Sequence, residues 1–263
     1  MQLTMLGVGS SAGTPAVGCK CNTCTSTNPH NKRTRCSSII TLDSGEVILI
    51  DTGPDLRTQA LREGLTRIDA VLYTHSHADH LHGIDDLRAF CQLQQRQIPL
   101  FANHDVVAHI SSKFAYTLRE PCDFWDLPVL KIHAIDGPFE IFGQTITPIS
   151  VKHGRSDING YRIGNIAYLT DVSEIPKASF ELLQGLDILL LDCLRHQSHP
   201  THINLEQSIA YANQIRAKNT YMIHMTHELE YDDLSLKLRN NSIDGQQKGT
   251  LHVGYDGLKL ESQ

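Results

Sequence analysis

Three imidazoles and one carboxylate fall within the six residues His75-Ser76-His77-Ala78-Asp79-His80. Imidazole nitrogen and carboxylate oxygen are the donors that hold divalent zinc, manganese or iron. Residues 68–74, Ile-Asp-Ala-Val-Leu-Tyr-Thr, read as a buried strand, and Gly83 and residues 84–95 read as a turn and a helix. The cluster therefore sits on a strand-to-helix loop. Period-two alternation sends His75 and His77 to one side. If the chain then turns, Asp79 and His80 can face a second ion, as two-metal hydrolysis requires. Four unrelated polar residues are the rival reading, but each buried one would then need its own hydrogen-bond partner.

A second cluster is sulfur-rich. Cys19-Lys20-Cys21-Asn22-Thr23-Cys24 places three thiols in six loop residues. That is three quarters of a tetrahedral zinc site, with the fourth ligand to come from elsewhere. Cys36, Cys91, Cys122 and Cys193 are isolated and read as small buried residues.

The remaining candidates stand at the ends of expected strands. Asp51 closes residues 47–50 and is followed by Thr52-Gly53-Pro54; it can orient a metal ligand or cap the helix beginning near Asp55. His153 follows a strand over residues 145–151. Asp171 ends one over 166–170, where it can bridge two metals or cap a helix over 174–183. His224 ends one over 220–224. The apolar run 187–191 leads into the polar loop Asp192-Cys193-Leu194-Arg195-His196-Gln197-Ser198-His199-Pro200-Thr201-His202, where one histidine can act as a general acid. His104 and His109 fall on an expected helix without a ligand partner in sequence. Residues 116–127, with Pro121 and the single Trp125, form either a flap over the site or a packed loop.

These residues need a scaffold that aligns strand ends. Strands over 3–6, 37–42, 47–50, 98–102, 129–133, 139–142 and 258–260, alternating with helices over 56–63, 104–115, 205–215 and 229–239, imply a layered α/β protein with two sheets. The glycine-rich stretch 7–15 lacks the lysine and the spacing of a nucleotide loop and reads as a tight turn near the site. A length of 263 residues suffices for a full core. The net charge of −6 supplies no basic footprint for nucleic acid or membrane. No apolar run of about 18 residues and no leader-like N-terminus is evident. A cytoplasmic protein with reduced cysteines is expected.

The set His75-x-His77-x-Asp79-His80, His153, Asp171 and His224 resembles the motifs of the metallo-β-lactamase superfamily over nearly the whole chain. The resemblance implies a single domain over residues 1–263, a four-layer αββα sandwich with its metal ligands on strand-exit loops at one edge. It implies a first metal on His75, His77, His153 and Asp171, and a second on Asp79, His80, Asp171 and His224. The diiron oxidoreductase branch carries glutamate where His77 stands, so hydrolysis is favoured over redox chemistry. The thiols of the 19–36 loop, with His227 three residues after His224, are similar to those of the PhnP-like cyclic phosphodiesterases. That likeness implies a structural zinc on Cys19, Cys21, Cys24 and His227, two catalytic manganese or zinc ions, and His202 as general acid. Asp79 would orient or deprotonate the attacking water. The expected activity is hydrolysis of a small cyclic phosphodiester, phosphoribosyl 1,2-cyclic phosphate, with no nucleic-acid partner and a homodimer as a possible assembly. Other hydrolase activities on the same site (nuclease, thioesterase, lactonase) and a PqqB-like carrier role are the alternatives.

Overall fold

The computed structural model describes residues 1–123, 125–241 and 249–262. The first half of the chain supplies β1 (Gln2–Gly7), α1 (Asn22–Thr25), β2 (Ser37–Thr41), β3 (Val47–Ile50), α2 (Leu56–Glu63), β4 (Ala70–Leu72), α3 (Ala78–Leu81), α4 (Leu87–Gln94), β5 (Ile98–Ala102), α5 (His104–Lys113) and β6 (Leu130–Ala134). The second half supplies β7 (Phe139–Ile141), β8 (Gln144–His153), β9 (Ser156–Ile163), β10 (Ile166–Leu169), β11 (Ile188–Asp192), α6 (Leu205–Ile215), β12 (Asn219–Ile223), α7 (Tyr231–Asn241), β13 (Thr250–Val253) and β14 (Lys259–Glu261).

Among these residues the strands form two seven-stranded sheets, ordered β14-β1-β2-β3-β4-β5-β6 and β13-β12-β11-β10-β9-β8-β7. Both sheets change character partway across. From β14 to β3 and from β7 to β10 the pairs are antiparallel; from β3 to β6 and from β10 to β13 they are parallel. Short turns suffice for antiparallel neighbours, whereas parallel ones need a crossover. β14 crosses back to pair with β1, so the last strand completes the first sheet.

Alternation along β3 shows how the layers stack. Ile48 and Ile50 join the cluster between the sheets, while Val47 and Leu49 join a second cluster with Leu56, Leu87, Phe90 and Val106 of α2, α4 and α5. The second sheet is covered on its outer side by Leu205, Ala212, Leu234 and Leu238 of α6 and α7. The result is the expected αββα sandwich. No helix among the described residues is long and apolar enough to cross a membrane.

Local departures from the sequence reading have local causes. β9 was not expected, because Asp157, Asn159 and Gly160 mask its alternation; Gly154, at φ 60°, turns β8 into it. The expected helix over 174–183 is a 3₁₀ segment, Lys177–Leu183, which starts only after Pro176. The expected helix over 84–95 splits into a 3₁₀ turn, Ile84–Asp86, and α4. Within 116–127, Thr117 is buried, Leu118 bridges to Leu130 and Trp125 packs on the outer core, so the packed-loop reading holds for those residues. Phe124 lies outside the described residues. Cys122 is exposed, unlike the buried Cys36, Cys91 and Cys193. His104 is exposed and pairs with Asp136 at 2.8 Å.

Candidate active site

Six strands deliver polar residues from their C-terminal ends to one edge: Asp51 after β3, His75 after β4, His153 at the end of β8, Asp171 after β10, Asp192 at the end of β11 and His224 after β12. One ligand atom from each of His75, His77, His153 and Asp171 lies within 4.8 Å of the others, and the same holds for Asp79, His80, Asp171 and His224. The two groups share Asp171, whose oxygens face opposite ways. Its Oδ2 is 3.4 Å from Nε2 of His75 and 3.9 Å from Nε2 of His153. Its Oδ1 is 3.1 Å from Nε2 of His80 and 3.2 Å from Nε2 of His224. Asp79 Oδ2 closes the second group, 3.3 Å from His80 Nε2 and 3.6 Å from His224 Nε2.

The surrounding shell holds the rings so that Nε2 points inward. Thr74 Oγ1 meets His75 Nδ1 at 3.0 Å, Asp51 Oδ2 meets His80 Nδ1 at 2.8 Å, and the Thr201 carbonyl accepts from His153 Nδ1 at 2.9 Å. Asp51 thus orients a site imidazole; the residue at the start of α2 is Asp55, which settles the two readings of Asp51. Asp171 does not cap a helix either. Asp51, Asp171 and His224 all have positive φ, 62°, 59° and 57°. A non-glycine residue held there costs on the order of 1–3 kcal/mol, a strain concentrated at functional sites.

The donor set fits divalent cations. The Nε2 atoms of His75, His80 and His224 are buried and, among the described residues, lack a hydrogen-bond partner despite the nearby carboxylates. Burial opposes ionisation of Asp171, yet His224, His80 and His75 outweigh it and hold its carboxyl well below the usual range. Burial likewise opposes charge on His80, but Asp171 and Asp51 push its pKa well above the ordinary value. Burial leaves His75, His77 and His153 easier to deprotonate, and neutral imidazole is the coordinating form. Two ionised carboxylates in so enclosed a space require positive charge, from protons or from metal ions.

His202 joins this edge, its Nε2 3.9 Å from Asp171 Oδ2. Its Nδ1 donates to Asp192 Oδ2 at 2.9 Å. The capping box of Asn204 and Gln207 starts α6 two residues later and anchors the loop. Asp192 is the site residue that sequence reading passed over. It was legible as a carboxylate closing an apolar strand, the same signal that marked Asp171.

The thiols converge separately. Cys19, Cys21, Cys24 and His227 bring their ligand atoms within 4.8 Å of one another, with His227 Nδ1 3.3 Å from the sulfur of Cys21 and 3.6 Å from that of Cys19. The buried Arg33 joins the two segments: it donates to the carbonyls of His30, Thr226 and Leu229. The backbone N–H of Cys24 and the His227 ring lower the Cys21 thiol to about 6, whereas burial pushes Cys24 up to about 11.

Known proteins resemble this chain in sequence and fold. The sequence model of the Beta-lactamase superfamily domain matches residues 46–225. A crystal structure of a diphosphatase from the PhnP family is 41% identical, covers 100% of this chain and 98% of its own, and superposes with a TM-score of 0.88. Zinc-bound PqqB from Methylobacterium extorquens, at 22% identity and full coverage of both chains, has a TM-score of 0.76 and shares the fold. A Porphyromonas gingivalis protein named octanoyltransferase is 38% identical over 262 residues, 98% of this chain but 51% of that protein. The chain therefore spans about half the length of that relative. By fold, motif and kinship the chain belongs to the beta-lactamase superfamily, as a PhnP-like metallo-β-lactamase.

Proposed function

We propose that this chain is a metal-dependent hydrolase that cleaves a small cyclic phosphodiester, with phosphoribosyl 1,2-cyclic phosphate as the substrate class. The observation that carries the reading is the carboxylate-backed His202, with its Nε2 3.9 Å from Asp171. A sugar alkoxide is a poor leaving group and needs a proton as it departs, and a positioned imidazole supplies one. His75, His77, His153 and Asp171 would hold one cation, Asp79, His80, Asp171 and His224 the other, and Cys19, Cys21, Cys24 and His227 a structural zinc. Divalent ions bound in the cage supply Lewis acidity, making water acidic and drawing charge from phosphate oxygens. Asp79 orients the attacking water and accepts its proton. As the new P–O bond forms, the bond to the ribose oxygen breaks, and that oxygen takes the Nε2 proton of His202. Asp192 accepts the Nδ1 hydrogen bond of the doubly protonated ring, so the second proton, on Nε2, faces the leaving oxygen. The net charge of −6 favours a small substrate over a nucleic acid.

A diphosphate is the second reading, favoured by the activity named for the relative of 41% identity. A phosphate leaving group needs less help from an acid, so the two readings differ in their dependence on His202. The test is elemental analysis of the purified chain joined to a panel of phosphoribosyl 1,2-cyclic phosphate, bis-p-nitrophenyl phosphate, a nucleoside diphosphate and an acyl thioester. Metal at both the cage and the thiols, with the highest kcat/KM on the cyclic ribosyl ester, is expected. A higher kcat/KM on the diphosphate or thioester overturns the reading, and metal-loaded protein without turnover favours a carrier.

A further inference from the structure

Asp192 faces two imidazoles at once. Its Oδ2 accepts from His202 Nδ1 at 2.9 Å and from the Val172 N–H at 2.7 Å. Among the described residues its Oδ1 has no hydrogen-bond partner and lies 3.8 Å from His224 Nδ1, which has none either. The side chain is fully buried. The two rings it faces stack almost parallel, 11° apart with centroids 4.9 Å apart. One of them is the acid of the proposed reaction and the other belongs to the second metal group.

We infer that Asp192 is a positioning residue shared by the proton donor His202 and the metal-group residue His224, setting the tautomer of the first through Oδ2 and orienting the second through Oδ1. The inference rests on the proposed phosphodiester reading for His202, and on the metal group alone for His224. The contact with His202 has hydrogen-bond length; the contact with His224 is longer, within charge attraction but short of a hydrogen bond. Were His224 to hold a cation through Nε2, its ring proton would lie on Nδ1, on the side of Asp192 Oδ1. Carboxylates behind coordinating imidazoles fix the ring and raise its basicity. Asp192 also ties the site to its scaffold. It is the last residue of β11, and its bond to the Val172 N–H holds the residue next to Asp171.

The test compares Asp192→Ala, Asp192→Asn and Asp192→Glu with the wild type and with His202→Ala. The first readout is the ¹⁵N ring spectrum of the protein without metal. In wild type His202 Nδ1 carries a proton, whether or not Nε2 also does; in Asp192→Ala, which removes the accepting oxygen, that preference is lost. An unchanged His202 spectrum overturns the inference whether or not any substrate is turned over. The second readout is metal affinity, which Asp192→Asn lowers by about 10–100-fold at the second group, the usual range for losing a supporting carboxylate. Wild-type affinity removes His224 from the inference. The third is leaving-group dependence. Asp192→Asn loses at least tenfold more kcat on the cyclic ribosyl ester than on bis-p-nitrophenyl phosphate, whose leaving group needs little protonation, and Asp192→Glu recovers part of it. Equal losses on both esters mark Asp192 as merely structural. If His202→Ala is silent on the ribosyl ester while the spectrum still responds to Asp192→Ala, the phosphodiester reading fails and the positioning role stands.

Discussion

Nδ1 of His80 meets Oδ2 of Asp51 at 2.8 Å, and neither side chain reaches solvent. Asp51 also accepts from the backbone and hydroxyl of Thr74, the residue before His75. One buried carboxylate thus fixes both ends of the histidine-rich loop. Asp51→Ala leaves His80 and Thr74 without their partner. Removing one member of a buried pair costs about 3–5 kcal/mol. Urea denaturation in the presence of chelator is expected to show a loss of that size, and elemental analysis a fall in cage metal. Asp51→Asn keeps the shape and loses less. A stability within about 0.5 kcal/mol of wild type, the scatter of an innocuous surface change, would contradict this account.

Gly83 sets how closely the loop can approach its neighbour. A Cβ built there would stand 2.1 Å from the Gly53 carbonyl oxygen, and the obstructing atoms are backbone. Gly83→Ala therefore cannot be absorbed by a side-chain rotation. It must push the turn after α3 away from the turn after β3. Overpacking of this kind costs about 1–3 kcal/mol. Chemical denaturation reads the loss, and a lowered metal content shows whether the displacement reaches His80.

His202→Ala separates proton donation from metal binding. The expected variant keeps wild-type metal content and loses about 1–3 kcal/mol of stability, because buried Asp192 is left without its imidazole partner. It loses about 10²–10⁴ in kcat on phosphoribosyl 1,2-cyclic phosphate, the range for a positioned acid. Steady-state kinetics beside elemental analysis checks both halves. Unimpaired turnover removes His202 from the reaction.

Metal uptake at the thiols should depend on pH with a definite sign. Cys21, lowered to about 6, is thiolate at neutral pH; Cys24, raised to about 11 by burial, is still a thiol. A coordinating thiol must give up its proton, so zinc uptake at pH 7 must expel at least the Cys24 proton. Affinity then rises by about tenfold per pH unit for each proton expelled. Without metal the two groups act oppositely on stability. The depressed Cys21 contributes stability that is present above its ordinary pKa of 9 and is lost as pH falls towards 6. The raised Cys24 contributes stability present below its ordinary pKa of 9 and lost as pH rises towards 11. Calorimetric titration with zinc in two buffers of different ionisation enthalpy counts the protons. A count of zero at pH 7 would exclude Cys24 as a ligand.

Chemistry compressed into a few neighbouring residues was the easiest part to read. Six residues carry His75, His77, Asp79 and His80, and six more carry the three thiols. Neither needs long-range information to be recognised as a donor set. The short continuous apolar runs, such as Val47–Ile50, alternating with helix-like stretches made the layered architecture legible, since a strand buried on both faces is apolar throughout. What escaped were features set by neighbours. β9 is a strand because β8 and β10 flank it, against a local sequence with asparagine, aspartate and glycine. Pro176 delayed and tightened a segment that otherwise reads as helix.

The ligand types, their dense local spacing and their positions at strand ends were therefore determined by the sequence alone. Which oxygen of Asp171 faces which imidazole was decided by tertiary structure. So were the choice of Asp51 as a support for His80 and the placement of Asp192 between His202 and His224. The reason is physical. A residue's chemistry and its period travel with the local chain, but a contact between residues far apart in sequence exists only once two sheets have packed and brought their strand ends to a common edge.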